Sequence, residues 1–203
     1  METKLLSDHA EDLLKAAELL RNGAVVGMPT ETVYGLAADA RNPEAVRQIF
    51  AAKGRPADNP LIVHIAEMRA LEQVAATVPP LAEKLAERFW PGPLTMILPK
   101  RKEIPEITSG GLDTVGIRMP SHPVARALIQ LSGVPIAAPS ANISGYPSPT
   151  TAQHVMRDMQ GKIAAVVDGG ACSVGVESTV IALEPNGTVR ILRPGFVTKE
   201  MLE

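Results

Sequence analysis

The sequence predicts an α/β fold in a single domain, with helices flanking a twisted, mostly mixed β-sheet. Short apolar runs of strand length alternate with longer segments in which apolar residues recur at helical spacing. Near the end of the chain, two strand-like runs meet at Asn186-Gly187, a pair typical of a hairpin turn. Because a hairpin is antiparallel, we expect a mixed sheet rather than a purely parallel one.

Start and stop signals delimit the expected helices. The segment 8–11 resembles a capping box, and Gly23 ends the helix that follows it. Asn42 precedes Pro43, which occupies the tolerated first position of a helix. The predicted helices cover about 8–20, 43–52, 67–76, 80–89 and 123–131, and a sixth begins after Thr150 or Thr151.

Apolar runs bounded by turn residues supply the expected strands. They cover residues 24–28, 61–65, 94–98, 114–118, 134–138, 163–167, 178–183 and 188–192. The longest irregular stretch, residues 99–113, carries three consecutive cations and a Gly-Gly pair. This stretch is either a mobile lid or a plain surface loop.

Composition excludes several classes of protein. The chain has 203 residues, of which 45% are hydrophobic and 21% charged, enough to bury a sizeable core. A net charge of −2 and 3% aromatic residues argue against a surface built for duplexes or for base stacking. We expect no signal peptide, no membrane span and no internal disulfide, since Cys172 is alone, and therefore a cytoplasmic location.

Two polar segments, 53–60 and 139–145, indicate a phosphate-binding site. The first places Lys53 and Arg55 directly after a helix, and the second offers hydroxyl and amide groups beside a glycine. Such groups match phosphate oxygens. The alternatives are a solvated helix end for the first segment and a plain turn for the second.

Further polar residues stand at or after the predicted strands, where ligands bind in open α/β sheets. Segment 29–35 contains two threonines around Glu31, and the alternative is a hydrogen-bonded turn with Glu31 exposed. His64 interrupts an apolar strand and is either a ligand-binding or a satisfied core residue. Arg118 ends a strand and is either a carboxylate clamp or part of a structural ion pair.

Absent motifs narrow the chemistry. The sequence has no phosphate-binding P-loop, dinucleotide fingerprint, zinc motif or nucleophile elbow. A site made of Lys, Arg, Ser, Thr and Asn suits electrostatic stabilisation of a reacting phosphate rather than covalent catalysis.

Five segments, in order along nearly the whole chain, resemble the YrdC/Sua5 family of threonylcarbamoyladenylate synthases. They are 29–36 (PTETVYGL), 53–61 (KGRPADNPL), 89–95 (FWPGPLT), 138–142 (APSAN) and 192–195 (LRPG). The resemblance implies one YrdC-like catalytic domain over residues 1–203, with its core at about 8–195. The implied sheet has a twist like that of double-stranded-RNA-binding α/β folds.

The resemblance also implies an enzyme that transfers an adenylyl group. L-Threonine, bicarbonate and ATP, with Mg²⁺ accompanying ATP, would give threonylcarbamoyl-AMP and pyrophosphate. The product would pass to a complex that modifies adenosine 37 of tRNAs reading codons that begin with A, and weak tRNA binding is compatible with this role. The alternatives are an RNA-binding or ribosome-associated module and a related carbamoyl-adenylate enzyme.

Site residues follow from the family pattern. The catalytic signature is Lys53, Arg55, Ser140 and Asn142. The expected ATP-binding residues are Arg55, Asn59, Thr114, Ser140, Ser148 and Arg193. The expected threonine-binding residues are Thr32, His64, Arg118, Ala138 (through its backbone) and Ser178. The sequence indicates no separate metal site and identifies no protein ligand for the Mg²⁺ that accompanies ATP.

Overall fold

A computed structural model describes residues 2–203, and a mixed sheet of ten strands organises this part of the chain. The strands are β1 (Lys4–Leu6), β2 (Val26–Met28), β3 (Gly35–Asp39), β4 (Ile62–His64), β5 (Leu94–Pro99), β6 (Thr114–Arg118), β7 (Ile136–Ala137), β8 (Ala165–Val167), β9 (Thr179–Leu183) and β10 (Val189–Arg193). Their order across the sheet is β1-β8-β2-β3-β7-β4-β6-β5-β9-β10.

Parallel and antiparallel pairs are interspersed in this sheet, which confirms the predicted mixed architecture. β1 and β2 run parallel to β8, β4 runs parallel to β6, and β5 runs parallel to β9. The last pair, β9 and β10, is the antiparallel hairpin predicted from Asn186-Gly187. Gly187 has a φ of +82°, a backbone conformation that glycine adopts without strain.

Helices cover both faces of the sheet. They are α1 (Ala10–Arg21), α2 (Pro43–Lys53), α3 (Pro80–Phe89), α4 (Glu106–Ser109), α5 (Pro123–Ser132), α6 (Ala152–Met159) and α7 (Lys199–Leu202), with a 3₁₀ helix at Met68–Gln73. Successive residues of β3 enter opposite layers, as the pleat requires: Leu36 and Ala38 pack in the layer with α2, α3 and α6, whereas Ala37 packs with α1 and α5. Within residues 2–203, no helix combines the length and apolarity needed to cross a bilayer.

Some sequence-based expectations for individual elements were wrong. The predicted capping box does not form, because His9 is the N-cap residue and makes no side-chain cap. Asp12 instead accepts hydrogen bonds from the backbone and the hydroxyl of Ser7. The expected helix at 67–76 is a 3₁₀ helix, and strands β1 and β3 were not foreseen.

Residues 99–113 form a packed segment rather than a free lid. Ile104 is fully buried, and Thr108 donates through Oγ1 to the carbonyl of Ala40 at 2.8 Å. The backbone amide of Leu61 donates to the carbonyl of Thr108 at 2.8 Å. These contacts attach the segment to the core and to the start of β4.

Candidate functional site

A cavity of about 350 Å³ lies over the central strands and collects most of the predicted site residues. This volume falls in the range typical of small-molecule sites, about 300–1,000 Å³. The lining residues are Thr32, Val33, Arg55, Pro60, Leu61, Ile62, His64, Arg118, Ala138, Pro139, Ser140, Glu177, Ser178 and Arg193.

Strand register brings the two strand residues of the site together. His64 at the end of β4 is paired with Arg118 at the end of β6. Residues paired across adjacent strands point to the same face of the sheet, so both side chains reach the cavity. Val63, one position earlier, points into the core instead, as the alternation along β4 predicts.

The wall that carries Ser140 is fixed to the strand that begins at Gly35. Leu36 donates its backbone amide to the carbonyl of Pro139 at 2.8 Å, and Ala141 donates to the carbonyl of Tyr34 at 2.8 Å. The approach is close: a Cβ at Gly35 would lie 3.1 Å from the Cβ of Ala138. These contacts place Ser140 at the cavity.

Lys53 supports this wall from behind and does not line the cavity. Its ammonium nitrogen Nζ lies 2.5 Å from the carbonyl oxygen of Ser140 and 2.8 Å from that of Asn142, and the residue is 2% exposed. Burial, together with the nearby Arg55 cation, lowers the pKa of Lys53 to about 8. Lys53 therefore holds the Ser140 segment in place, and its predicted position beside Arg55 on the phosphates stays a prediction.

Arg55 and Arg193 are the half-buried cations of the cavity. Arg193 donates from Nε and Nη2 to the carbonyl of Ser178, at 3.1 and 2.8 Å, and thereby holds that residue in place. The Ser178 hydroxyl lies 2.7 Å from Oγ1 of Thr95, which is fully buried. A Cβ at Gly195 would lie 2.5 Å from the carbonyl oxygen of Glu177, so only glycine allows the two segments to pack this closely.

Arg118 is buried in an ion pair that the sequence analysis left open. Its Nη2 donates to Oε1 of Glu31 at 2.6 Å, and its Nη1 donates to Oγ1 of Thr32 at 2.9 Å. Glu31 is 5% exposed, so the expectation of an exposed Glu31 in a surface turn is wrong. Because Arg118 also lines the cavity, the ion pair and the predicted clamp are compatible.

His64 is a neutral acceptor or donor within the site. Burial, and next the neighbouring Arg118 cation, lower the pKa of His64 to about 3. The Nδ1 atom lies 3.2 Å from the carbonyl oxygen of Ile62. The imidazole therefore carries no charge near neutral pH and can contact a polar ligand group without adding a cation to the cavity.

Four further predicted residues do not line the cavity. Asn142 is buried, with Nδ2 donating to the carbonyls of Ile143 and Tyr146 while Oδ1 has no hydrogen-bond partner. Asn59 is exposed, and Thr114 lies at the far end of β6 from Arg118. Ser148 donates to Glu177, a lining residue, and so borders the cavity. Their predicted ligand contacts remain predictions.

Sequence reasoning missed the two acidic residues of the site, Glu31 and Glu177. Glu31 lies between Thr30 and Thr32, and Glu177 precedes Ser178, but the sequence analysis assigned a ligand-binding role only to the hydroxyl residues Thr32 and Ser178. The usable signal for Glu31 was its place directly after a buried strand, between two threonines, in a chain where Arg118 ends another strand.

Comparisons with known proteins bear on this site. Residues 18–195 match the family model Sua5_yciO_yrdC, whose description reads "Telomere recombination". A threonylcarbamoyl-AMP synthase from Bacillus subtilis is 55% identical over 203 residues, and one from Pyrococcus abyssi is 57% identical over 188 residues. The chain belongs to the Sua5/YciO/YrdC family.

A solved structure of this family carries a ligand. The crystal structure of P. abyssi Sua5 complexed with L-threonine superposes with a TM-score of 0.91 at 54% identity, covering 96% of this chain. This agreement confirms the fold inferred from the YrdC/Sua5 resemblance. The chain spans 58% of the length of the B. subtilis relative and 55% of the P. abyssi one, whereas 99% and 93% of the chain itself are covered.

Proposed function

We propose that this protein is a threonylcarbamoyl-AMP synthase that consumes L-threonine, bicarbonate and ATP and releases pyrophosphate. The observation that carries the proposal is one cavity with two different walls. Arg55, Ser140 and Arg193 form a cationic, hydroxyl-bearing wall, while Thr32 and Arg118 belong to a buried polar wall with His64. The family relatives named for this activity, and the one solved with L-threonine, support it.

The proposed reaction uses these walls for binding and orientation. The threonine amine condenses with bicarbonate, with loss of water, to give a carbamate. A carbamate oxygen then forms a bond to the α-phosphorus of ATP, and the bond from that phosphorus to the bridging oxygen of pyrophosphate breaks. Arg55 stabilises charge that develops on the phosphate oxygens, and holding both substrates together lowers the barrier further. In this scheme the remaining N–H groups of Arg118 bind the threonine carboxylate.

Mg²⁺ would accompany ATP rather than occupy a protein cage. Three arginines and one glutamate line the cavity, and residues 2–203 contain no group of three or more His, Cys, Asp or Glu side chains placed to hold a metal ion. With only one carboxylate lining the cavity, the site fits an ion bound mainly by phosphate oxygens and water, as Mg²⁺ commonly is. When bound, the ion would supply charge neutralisation for the leaving pyrophosphate.

The product is a mixed anhydride with an activated threonylcarbamoyl group. We propose that a tRNA threonylcarbamoyl-transfer complex consumes it at adenosine 37, since an activated acyl-type phosphate must be passed on before water hydrolyses it. Direct tRNA binding by this protein is not required by that scheme.

Pyrophosphate release is the measurement that tests the function. The protein is supplied with ATP, Mg²⁺, bicarbonate and each amino acid in turn, and every component is omitted once. We expect release only when L-threonine and bicarbonate are both present. The variant Arg41→Ala, which changes an exposed arginine outside the cavity, serves as the matched control and should behave as the wild type.

Two outcomes would contradict the proposal. Release that depends on carbamoyl phosphate instead of threonine and bicarbonate would indicate a related carbamoyl-adenylate enzyme. Salt-sensitive tRNA binding without any pyrophosphate release would indicate an RNA-binding module.

A further inference from the structure

Glu31 is a buried carboxylate to which the proposed reaction gives no task. It lies in the turn after β2 and is 5% exposed. Its Oε1 accepts from Nη2 of Arg118 at 2.6 Å, and its Oε2 accepts the backbone amide of Ser121 at 3.2 Å. Both oxygens are thus fixed by groups on the segment 118–121, one a side chain and one a backbone amide.

The geometry leaves Arg118 with little freedom. Besides Glu31, Arg118 donates through Nη1 to Thr32 at 2.9 Å and through Nε to the carbonyl of Gly92 at 3.3 Å. A guanidinium has five N–H groups in one plane, so these three bonds fix that plane and leave two N–H groups for a ligand. Arg118 is 4% exposed, so an unpaired cation here would be costly, and the carboxylate of Glu31 offsets that cost.

We infer that Glu31 is a positioning residue, which acts through Arg118 to select a substrate carboxylate. This inference rests on the proposed function, in which Arg118 binds the carboxylate of threonine. With Glu31 in place, the Glu31–Arg118 pair carries no net charge, so recognition depends on the direction of the two remaining N–H groups. Without the carboxylate of Glu31, Arg118 keeps its charge but loses one of the three contacts that orient it, and the only charged one.

The orientation of Arg118 matters because two other arginines line the same cavity. Arg55 and Arg193 line the same space, and the nucleotide brings several phosphate oxygens into it. Without Glu31, Arg118 would be held only by Thr32 and Gly92 and could turn toward phosphate as well as carboxylate. With Glu31 in place, the guanidinium presents its remaining donors in one direction. Glu31 therefore separates the carboxylate subsite from the phosphate subsite.

The test measures binding of L-threonine and of L-threoninamide, which lacks the carboxylate, by calorimetry. The proteins are the wild type, Glu31→Gln, Arg118→Gln and the double variant. Glu31→Gln preserves size but removes the charge and one of the two acceptors. We expect it to weaken L-threonine binding about tenfold and to change L-threoninamide binding less than about twofold, and to add nothing in the Arg118→Gln background.

Matched controls separate positioning from general damage. Glu83→Gln, on the exposed surface of α3, should bind both ligands as the wild type does. Circular dichroism and thermal melting report whether each variant folds. If Arg118→Gln alone does not fold, because Glu31 is left buried without its partner, the ratio of the two affinities in Glu31→Gln still decides the question.

Two results would overturn the inference. Equal weakening of both ligands by Glu31→Gln, which leaves the ratio of affinities unchanged, would mean that Glu31 only stabilises the fold. A further loss of L-threonine affinity when Glu31→Gln is added to Arg118→Gln would mean that Glu31 does not act through Arg118. Failure of the proposed function is distinct from both, because it would appear in the wild type as no L-threonine binding or as pyrophosphate release independent of threonine.

Discussion

Lys53 and Arg55 stand two positions apart, yet the fold gives them different surroundings. Lys53 is 2% exposed and donates to two backbone carbonyls, whereas Arg55 is half-buried and lines the cavity. The C-terminus of α2 falls between them, since Gly54 takes a left-handed conformation with a φ of +62° and ends the helix. Lys53 therefore shapes the wall, and Arg55 faces the cavity.

Substitutions at these two positions should have different signatures. We expect Arg55→Ala to lower the rate of pyrophosphate release by about 100-fold or more, because it removes a cation from the reacting phosphates, with little change in Tm. Lys53→Met should lower both the rate and the Tm, because two buried carbonyls lose their donor. Arg41→Ala is the control for both variants.

Steady-state kinetics and thermal melting check this prediction. A normal Tm with a large loss of rate in Lys53→Met would show that its ammonium acts on substrate directly after a rearrangement of the wall. A large drop in Tm for Arg55→Ala would instead indicate that Arg55 has a structural role.

At the residue scale, sequence patterns identified the segments that form the site but not the burial and partners of individual residues in them. The segments around Thr32, Arg55 and Ser140 were recognised, and all three residues line one cavity. The sequence placed Glu31 between two threonines after a strand, but it could not show that Glu31 pairs with Arg118, which is 87 positions away. The burial of Lys53 was equally hidden, because its carbonyl acceptors at Ser140 and Asn142 are 87 and 89 positions away in sequence.

At the scale of elements, α2 is the helix whose ends matter most for the site. Its N-cap residue Asn42 accepts the backbone amides of Glu44 and Ala45 through its side chain, at 3.0 and 3.3 Å. Its last residue is Lys53. Capping at one end therefore supports a helix that carries a wall-forming residue at the other.

We expect Asn42→Ala to lower the free energy of unfolding by about 1 kcal/mol, because two backbone amides lose their acceptor. Urea denaturation measures this change, and Asn22→Ala, at an exposed position past the end of α1, is the matched control. An equal effect of both substitutions would contradict a specific capping role for Asn42.

Elements with clear terminal signals were the ones predicted well. The helix at Pro80–Phe89 and the strand at Thr114–Arg118 have the predicted bounds. Strand β3 was missed because its sequence, GLAAD, lacks the β-branched and aromatic residues that mark strands. Its strand conformation comes from pairing with β2 and β7, which is tertiary information.

At the scale of the whole molecule, the cavity joins parts of the chain that are far apart in sequence. Lining residues range from Thr32 to Arg193. The sequence predicted a mixed sheet but not the order of its strands, since that order depends on pairings between distant segments. The site is thus a property of the complete sheet rather than of one motif.

Ligand binding should therefore stabilise the sheet globally. We expect ATP with Mg²⁺ and L-threonine, each at 100 times its Kd, to raise the unfolding free energy by at least about 2.7 kcal/mol, the amount that one such ligand contributes. Hydrogen exchange should slow in segments 29–36, 62–64, 138–142 and 177–193 together. ATP with glycine in place of threonine is the control, and slowing confined to one segment would contradict the prediction.

The pairing of β1 has a consequence for how the protein is made. Lys4 lies beside Ala165, so the first strand of the chain has its sheet partner about 160 residues later. At ribosomal rates of about 5–20 residues per second, β8 is synthesised roughly 8–30 s after β1. During synthesis, the amino-terminal strand is thus an unpaired edge, and contacts so distant in sequence are slow to form.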